Sequence, residues 1–267
     1  MRKLFCLFSL FASSFSASAA GEWLYYKHYP WVYDAKTQDW LYLRGTAEGE
    51  IYSYRSSTNA WEVFDVKEGE KTWDEQYQQW IQNPESYGGL SVVQTIKEAK
   101  DNQATKLAIS SYYVSDITPL TGLTNLTELV LESNNISDLS PLSGLTNLTK
   151  LNLHLNNISD LTPLAGLTNL TTLFLGRNNI SDLTPLAGLT NLEELLLLNN
   201  NITDITPLAR LTKLEELNLS NTNITDLTPL AGLTKLTWLT LKDNNISASQ
   251  KAILQEALPN TDIQFDW

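Results

Sequence analysis

From Lys106 onward, apolar and polar positions alternate in short bursts that recur every 22 residues. Leu129, Leu151, Leu173, Leu195, Leu217 and Leu239 keep that step, and so do Ile136, Ile158, Ile180, Ile202, Ile224 and Ile246. Leu107, Ile109 and Val114 extend the pattern back to an irregular first copy. The total is seven copies of LxLxxNxI, with Tyr112 and Thr222 at the Asn position of the first and sixth. In LTELVLESNNI (126–136), Leu129 and Leu131 alternate with Glu128, Val130 and Glu132. That period of two predicts a short strand with its leucines inward and its other side chains outward. Asn134, Asn156, Asn178, Asn200 and Asn244 follow where the chain must turn. Stacked Asn side chains can bond the backbone groups that a turn leaves unpaired. The turns at Tyr112 and Thr222 must be satisfied differently.

The second half of each copy is equally regular, and ISDLTPLAGLTNL occurs letter for letter at 158–170 and 180–192. Ser or Thr before Pro predicts an N-cap followed by Pro at the first position of a short helical or 3₁₀ turn. Gly144, Gly166, Gly188 and Gly232 help close that turn, although Arg210 fills the position once. One copy cannot bury its apolar side chains alone, so copies must stack and the two ends need covers. SVVQTIKEAK opens on a Ser91…Gln94 capping box and predicts a closing helix with Val92, Ile96 and Ala99 on one face. A second box, Ser247…Gln250, opens a helix presenting Ile253, Leu254 and Leu258 and stopped by Pro259. A last strand around Ile263 and Phe265 would shield the final edge.

These copies make a leucine-rich repeat. Residues 105–247 resemble the 22-residue repeats of secreted and surface proteins of bacteria, the internalin-like class. The resemblance implies an α/β solenoid, right-handed and curved, with a parallel sheet on its concave side and 3₁₀ or short helical turns on its convex side. It also implies a protein or peptide partner gripped by the concave face.

Identical positions build the frame, so selectivity is expected where copies differ and face outward. Seven strands about 4.8 Å apart form a strip about 29 Å long, suited to a protein segment. On it Phe174, Leu196, Leu198 and Trp238 are apolar, with Val130 and Leu155 adding to them. Exposed apolar patches mark interaction sites, and aromatic anchors dominate them. Glu132, His154, Arg177, Glu194 and Lys242 would tune specificity. The competing reading is scattered, neutral surface apolars. A column of Asp116, Asp138, Asp160, Asp182, Asp204 and Asp226 has two readings, calcium binding or capping of the N–H two residues on. Capping needs no metal, and neighbouring carboxylates about 5 Å apart repel by only about 0.8 kcal/mol in water.

Ahead of the repeats, residues 21–85 hold aromatic and β-branched runs separated by polar turns. They predict a small antiparallel meander, then a helix over TWDEQYQQW with Trp73, Tyr77 and Trp80 on one face. Six of the eight Trp lie here. Large rings can fill the core of a small module or stack on a cell-envelope glycan. Residues 86–104 are assigned to the N-terminal helical cap and 248–267 to the C-terminal cap. Residues 1–20 read as a secretory signal peptide, with Arg2 and Lys3, an apolar stretch and Ser18-Ala19-Ala20. A secreted, periplasmic or cell-surface location follows.

Cys6 is the only cysteine, so the chain beyond the leader forms no disulfide and offers no thiolate to a metal. The net charge of −12 disfavours nucleic acid and anionic lipid as partners. No apolar run is long enough for a membrane span. His28 and His154 are the only histidines, and no nucleophile elbow or phosphate loop is present. No enzymatic activity, cofactor or metal is therefore expected.

Overall fold

The computed structural model describes residues 72–265 throughout and six strands between residues 15 and 63 as backbone. The chain divides into two compact units, residues 1–74 and 75–267. In the first, β1 (Phe15–Ala17), β2 (Trp23–Tyr26), β3 (Trp31–Asp34), β4 (Asp39–Gly45), β5 (Ile51–Arg55) and β6 (Ala60–Val63) pair in sequence order. Every pairing is antiparallel, so the unit is the expected meander, but with β1 added from the residues read as the leader. The glycan reading of residues 21–85 rests largely on side chains outside the described residues, as does most of the leader.

Helix α1 (Trp73–Trp80) runs across the division at residue 74, and in the second unit its Trp80 is buried edge-on against Tyr87 at 6.2 Å. Next comes α2 (Leu90–Asp101), which buries Val92, Val93, Ile96 and Ala99. The Ser91…Gln94 box does not form. Gly89 is the N-cap residue, without a side-chain hydrogen bond, and Ser91 already lies inside the helix.

Eight parallel strands follow. They are β7 (Lys106–Ala108), β8 (Glu128–Val130), β9 (Lys150–Asn152), β10 (Thr172–Phe174), β11 (Glu194–Leu196), β12 (Glu216–Asn218), β13 (Trp238–Thr240) and β14 (Asp262–Gln264). The register of β7 to β13 keeps the 22-residue step, so Leu107, Leu129, Leu151, Leu173, Leu195, Leu217 and Leu239 form one column, which Ile263 of β14 ends outside that step. The inward leucines and isoleucines of the central repeats are fully buried. At the far end Ser247 caps α3 (Ala248–Ala257) by accepting from the Gln250 N–H, and β14 covers β13. Leu254 and Leu258 are buried there, but Ile253 faces solvent, contrary to expectation.

The asparagine column is a hydrogen-bond ladder. The Asn178 amide donates to the Leu175 carbonyl of its own turn and the Leu153 carbonyl of the preceding one, each at 3.0 Å. Its Oδ1 accepts from Ile158 N–H at 3.0 Å. The first turn, at Tyr112, is served by its neighbour, because Asn134 Oδ1 accepts from the Tyr112 and Val114 N–H groups. At the sixth turn the Thr222 hydroxyl lies 2.9 Å from the Leu219 carbonyl and 2.7 Å from Asn244 Oδ1. Its single proton can serve only one of them. It also has no amide to reach back to Ile202 N–H and the Leu197 carbonyl. Thr222→Asn is expected to restore the ladder and stabilise the chain by about 1 kcal/mol, read as a higher urea midpoint at unchanged slope.

The Thr-Pro turns depart from expectation in a consistent way. Thr162 and its equivalents are the first residues of 3₁₀ turns, Pro stands second, and no side chain of the N-cap leucine or isoleucine bonds the turn. The aspartate two residues before each Thr or Ser supplies the cap instead, as the capping reading of that column expects. Asp116, Asp138, Asp160, Asp182 and Asp204 accept from that backbone N–H at 2.8 Å, and Asp226 does so at 2.9 Å. Bonds from the Thr hydroxyl and then its N–H hold Asp160, Asp182, Asp204 and Asp226 below the usual carboxylate range. A depressed folded-state value means the contribution is complete above the unfolded value, about 3.9, and is lost as pH falls through the lower folded value. The urea midpoint should therefore drop below about pH 4. Replacing Asp160, Asp182 and Asp204 together by Asn should flatten that drop, since Asn keeps an acceptor and does not titrate.

Candidate partner-binding face

The outward side chains of β7 to β13 fall into three rows. The row at the strand starts runs Lys106, Glu128, Lys150, Thr172, Glu194, Glu216, Trp238, each residue paired in register with the next. Its first part neutralises itself. Lys106 Nζ lies 2.7 Å from Glu128, and that hydrogen bond holds the Glu128 carboxyl below its ordinary value. Farther along, Glu194 and Glu216 stand directly opposite each other. Burial pushes Glu194 up, Glu216 adds to the rise, and Lys150 opposes it.

The middle row brings Phe174 against Leu196 in register, both half-buried. Val130 is separated from Phe174 by Asn152 on β9, and Asn218 stands beyond Leu196 on β12. Trp238 lies two strands from β11 in the first row, about 10 Å away, so it belongs to a different part of the strip. The third row contains Glu132, His154, Gly176, Leu198, Ser220 and Lys242. Asn152 Nδ2 donates to the Glu132 carboxylate at 3.0 Å while its Oδ1 accepts from His154 N–H at 3.0 Å. Burial lowers the His154 pKa against the opposing pull of Glu132, and Arg177 lowers it further.

Gly176 shapes the centre. A Cβ built there would lie 2.5 Å from Leu198 Cδ2 and 2.7 Å from His154 Nδ1. The missing side chain lets the imidazole and the leucine lean in from both neighbouring strands. Gly176, Ser220 and Thr240 face outward in the strand pattern yet are buried, which narrows the expected face.

A further column was not legible in the sequence. Ser111, Ser133, Leu155, Arg177, Asn199, Asn221 and Asp243 all have left-handed backbones, with φ between 49° and 65°. This conformation favours Gly, Asn and Asp and strains bulky residues. Leu155 and Arg177 occupy it while exposed beside His154 and Gly176. Leu155→Asn should relieve strain and stabilise the fold by about 0.5–1 kcal/mol, while weakening any partner that uses this edge. Thermal melting and binding measured side by side check both signs. Sequence reasoning also passed over Tyr112 and Tyr113 as surface residues, although both are exposed at the first turn.

A parallel sheet built from 22-residue units, an internal asparagine ladder and 3₁₀ turns opposite the strands define the leucine-rich-repeat solenoid. The family model described as Leucine Rich repeats (2 copies) matches residues 124–166, 146–188 and 190–232. No curated protein matches the chain at a significant level. Among solved structures, internalin C2 of Listeria monocytogenes is 38% identical, with a TM-score of 0.59 over 64% of this chain and 74% of that one. Internalin F of the same species is 30% identical, with a TM-score of 0.58 over 71% of this chain and 64% of its own. A leucine-rich-repeat protein of Leptospira interrogans is also 30% identical, with a TM-score of 0.59 over 63% of this chain and 45% of its own. The chain belongs to the internalin-like family of bacterial leucine-rich-repeat proteins.

Among the described residues no helix is long and apolar enough to cross a membrane. Within the same residues, no three potential ligands gather as a metal site would require.

Proposed function

We propose that this is an exported, non-catalytic binding protein that recognises a protein or peptide on the concave face of its repeats. The observation that carries the reading is the cluster at Gly176. Phe174, Leu196 and Leu198 remain partly open to water there, and Leu155 is exposed in a conformation that leucine disfavours. Stability alone would favour polar residues at such positions. Side chains that stay apolar at a cost to the free protein fit a surface completed by a partner. Glu132, His154, Arg177, Glu194 and Lys242 surround the cluster or flank its row and would set selectivity. Val130 and Trp238 would extend the contact along the strip.

The test is Phe174→Ala with Leu198→Ala, compared with the unaltered chain for capture of proteins from surface extracts of neighbouring cells. Two lost anchors should weaken capture by about 30-fold or more. Undiminished capture by a variant with an intact circular-dichroism spectrum would overturn the assignment.

A further inference from the structure

Beside the apolar cluster, repeats five and six abandon a structural bond that other repeats keep. Thr127, Thr149, Thr171 and Thr237 each donate a hydroxyl hydrogen bond to the backbone carbonyl 22 residues earlier, at 3.1, 3.0, 3.2 and 3.1 Å. Glu193 and Glu215 stand in place of that threonine, both exposed, and each is followed by a second glutamate. The result is four carboxylates at the starts of two adjacent strands. Directly opposed like charges destabilise a sheet, so packing does not account for this choice. Among the described residues neither Glu194 nor Glu216 joins an ion pair, whereas Glu128 in the same row is bridged to Lys106.

The acidic and apolar groups share one geometry. Glu194 and Leu196 share one face of β11, about 7 Å apart along the strand, and Leu198 follows just past its end. An extended segment laid over β11 repeats the same spacing between its own residues i and i+2. An apolar side chain resting on Phe174 and Leu196 then places its second neighbour over Glu194 and Glu216.

We infer that the occupant of this face is an extended protein segment carrying a lysine or arginine two positions from an apolar residue, the cation over Glu194 and Glu216 and the apolar group over Phe174 and Leu196. The inference rests on the sheet face being the binding surface and adds the chemistry of what binds. Charge complementarity selects the occupant, because the chain as a whole carries a net charge of −12 and this stretch concentrates it. An anionic polymer is repelled by the same carboxylates.

The experiment selects displayed random peptides of about 12 residues on the immobilised full chain at low ionic strength. Enriched peptides are then assayed on two variants, Glu194→Gln with Glu216→Gln, and Phe174→Ala with Leu196→Ala. Enriched sequences should carry Lys or Arg two residues from Leu, Ile or Phe. They should bind the glutamine variant about 2- to 30-fold more weakly, as two half-exposed ion pairs would give, with the difference shrinking at high salt. The glutamine variant should melt no lower than the parent, since it removes like-charge repulsion, so lost binding cannot be lost folding. Peptides that need Phe174 and Leu196 but ignore the glutamates overturn this inference and leave the sheet-face reading standing. Peptides indifferent to both variants overturn both readings, and failure of any peptide to enrich overturns the segment inference.

Discussion

Asn178→Ala lowers the unfolding free energy by about 2–4 kcal/mol in urea denaturation, far more than an ordinary surface substitution. The substitution leaves the Ile158 N–H, buried beside a fully covered side chain, without its acceptor. An unsatisfied buried donor costs about 1–3 kcal/mol. The Leu153 and Leu175 carbonyls each lose one donor but keep another, from Asn156 and Asn200. That redundancy sets the upper bound on the loss. Hydrogen exchange at Ile158 should accelerate more than at Ile202, whose turn already lacks an asparagine partner. A loss below about 1 kcal/mol would mean that water replaces the ladder at little cost.

The second large effect comes from Leu173→Ala, expected to cost about 2–5 kcal/mol. Leu173 is fully buried between Leu151 and Leu195, with repeats on both sides that hold the cavity open. The same change at Leu107, the partly covered end of the column at 7% exposure, should cost less. A solenoid is stabilised by contacts between neighbours only, so a weakened centre should also let the two flanks unfold separately. Exchange measured by mass spectrometry should then resolve residues 106–152 from residues 194–264. A single transition for the Leu173 variant, with an equal loss for both substitutions, would contradict this view.

The repeat was legible because inward leucines and turn asparagines obey one spacing that sequence displays directly. The strands, the parallel stack and the covering strand β14 followed from it. Local chemistry was harder to read. Thr-Pro carries the ordinary signature of a capped helix start, yet a 3₁₀ turn leaves Thr184 inside, and the cap comes from Asp182, as the capping reading of the aspartate column expected. Ser91…Gln94 matched a capping box, but the double glycine before it let α2 begin two residues earlier. At the candidate site, alternation correctly placed Phe174, Leu196 and Leu198 outward. It could not show that Gly176 opens a hollow between His154 and Leu198. The left-handed column was hidden because Ser, Leu, Arg, Asn and Asp share no compositional mark. Only the repeated backbone geometry unites them.

Each rung of the asparagine ladder reaches into its own turn and the one before it, and no farther. A unit of 22 residues can therefore be excised or duplicated with every rung re-formed across the new junction. The identical phrases at 158–170 and 180–192 are suitable points for such an exchange. Length thus becomes a heritable variable that changes in whole steps, each moving the far end of the strip by about 4.8 Å. A lineage can adjust the reach of its grip without redesigning the hand.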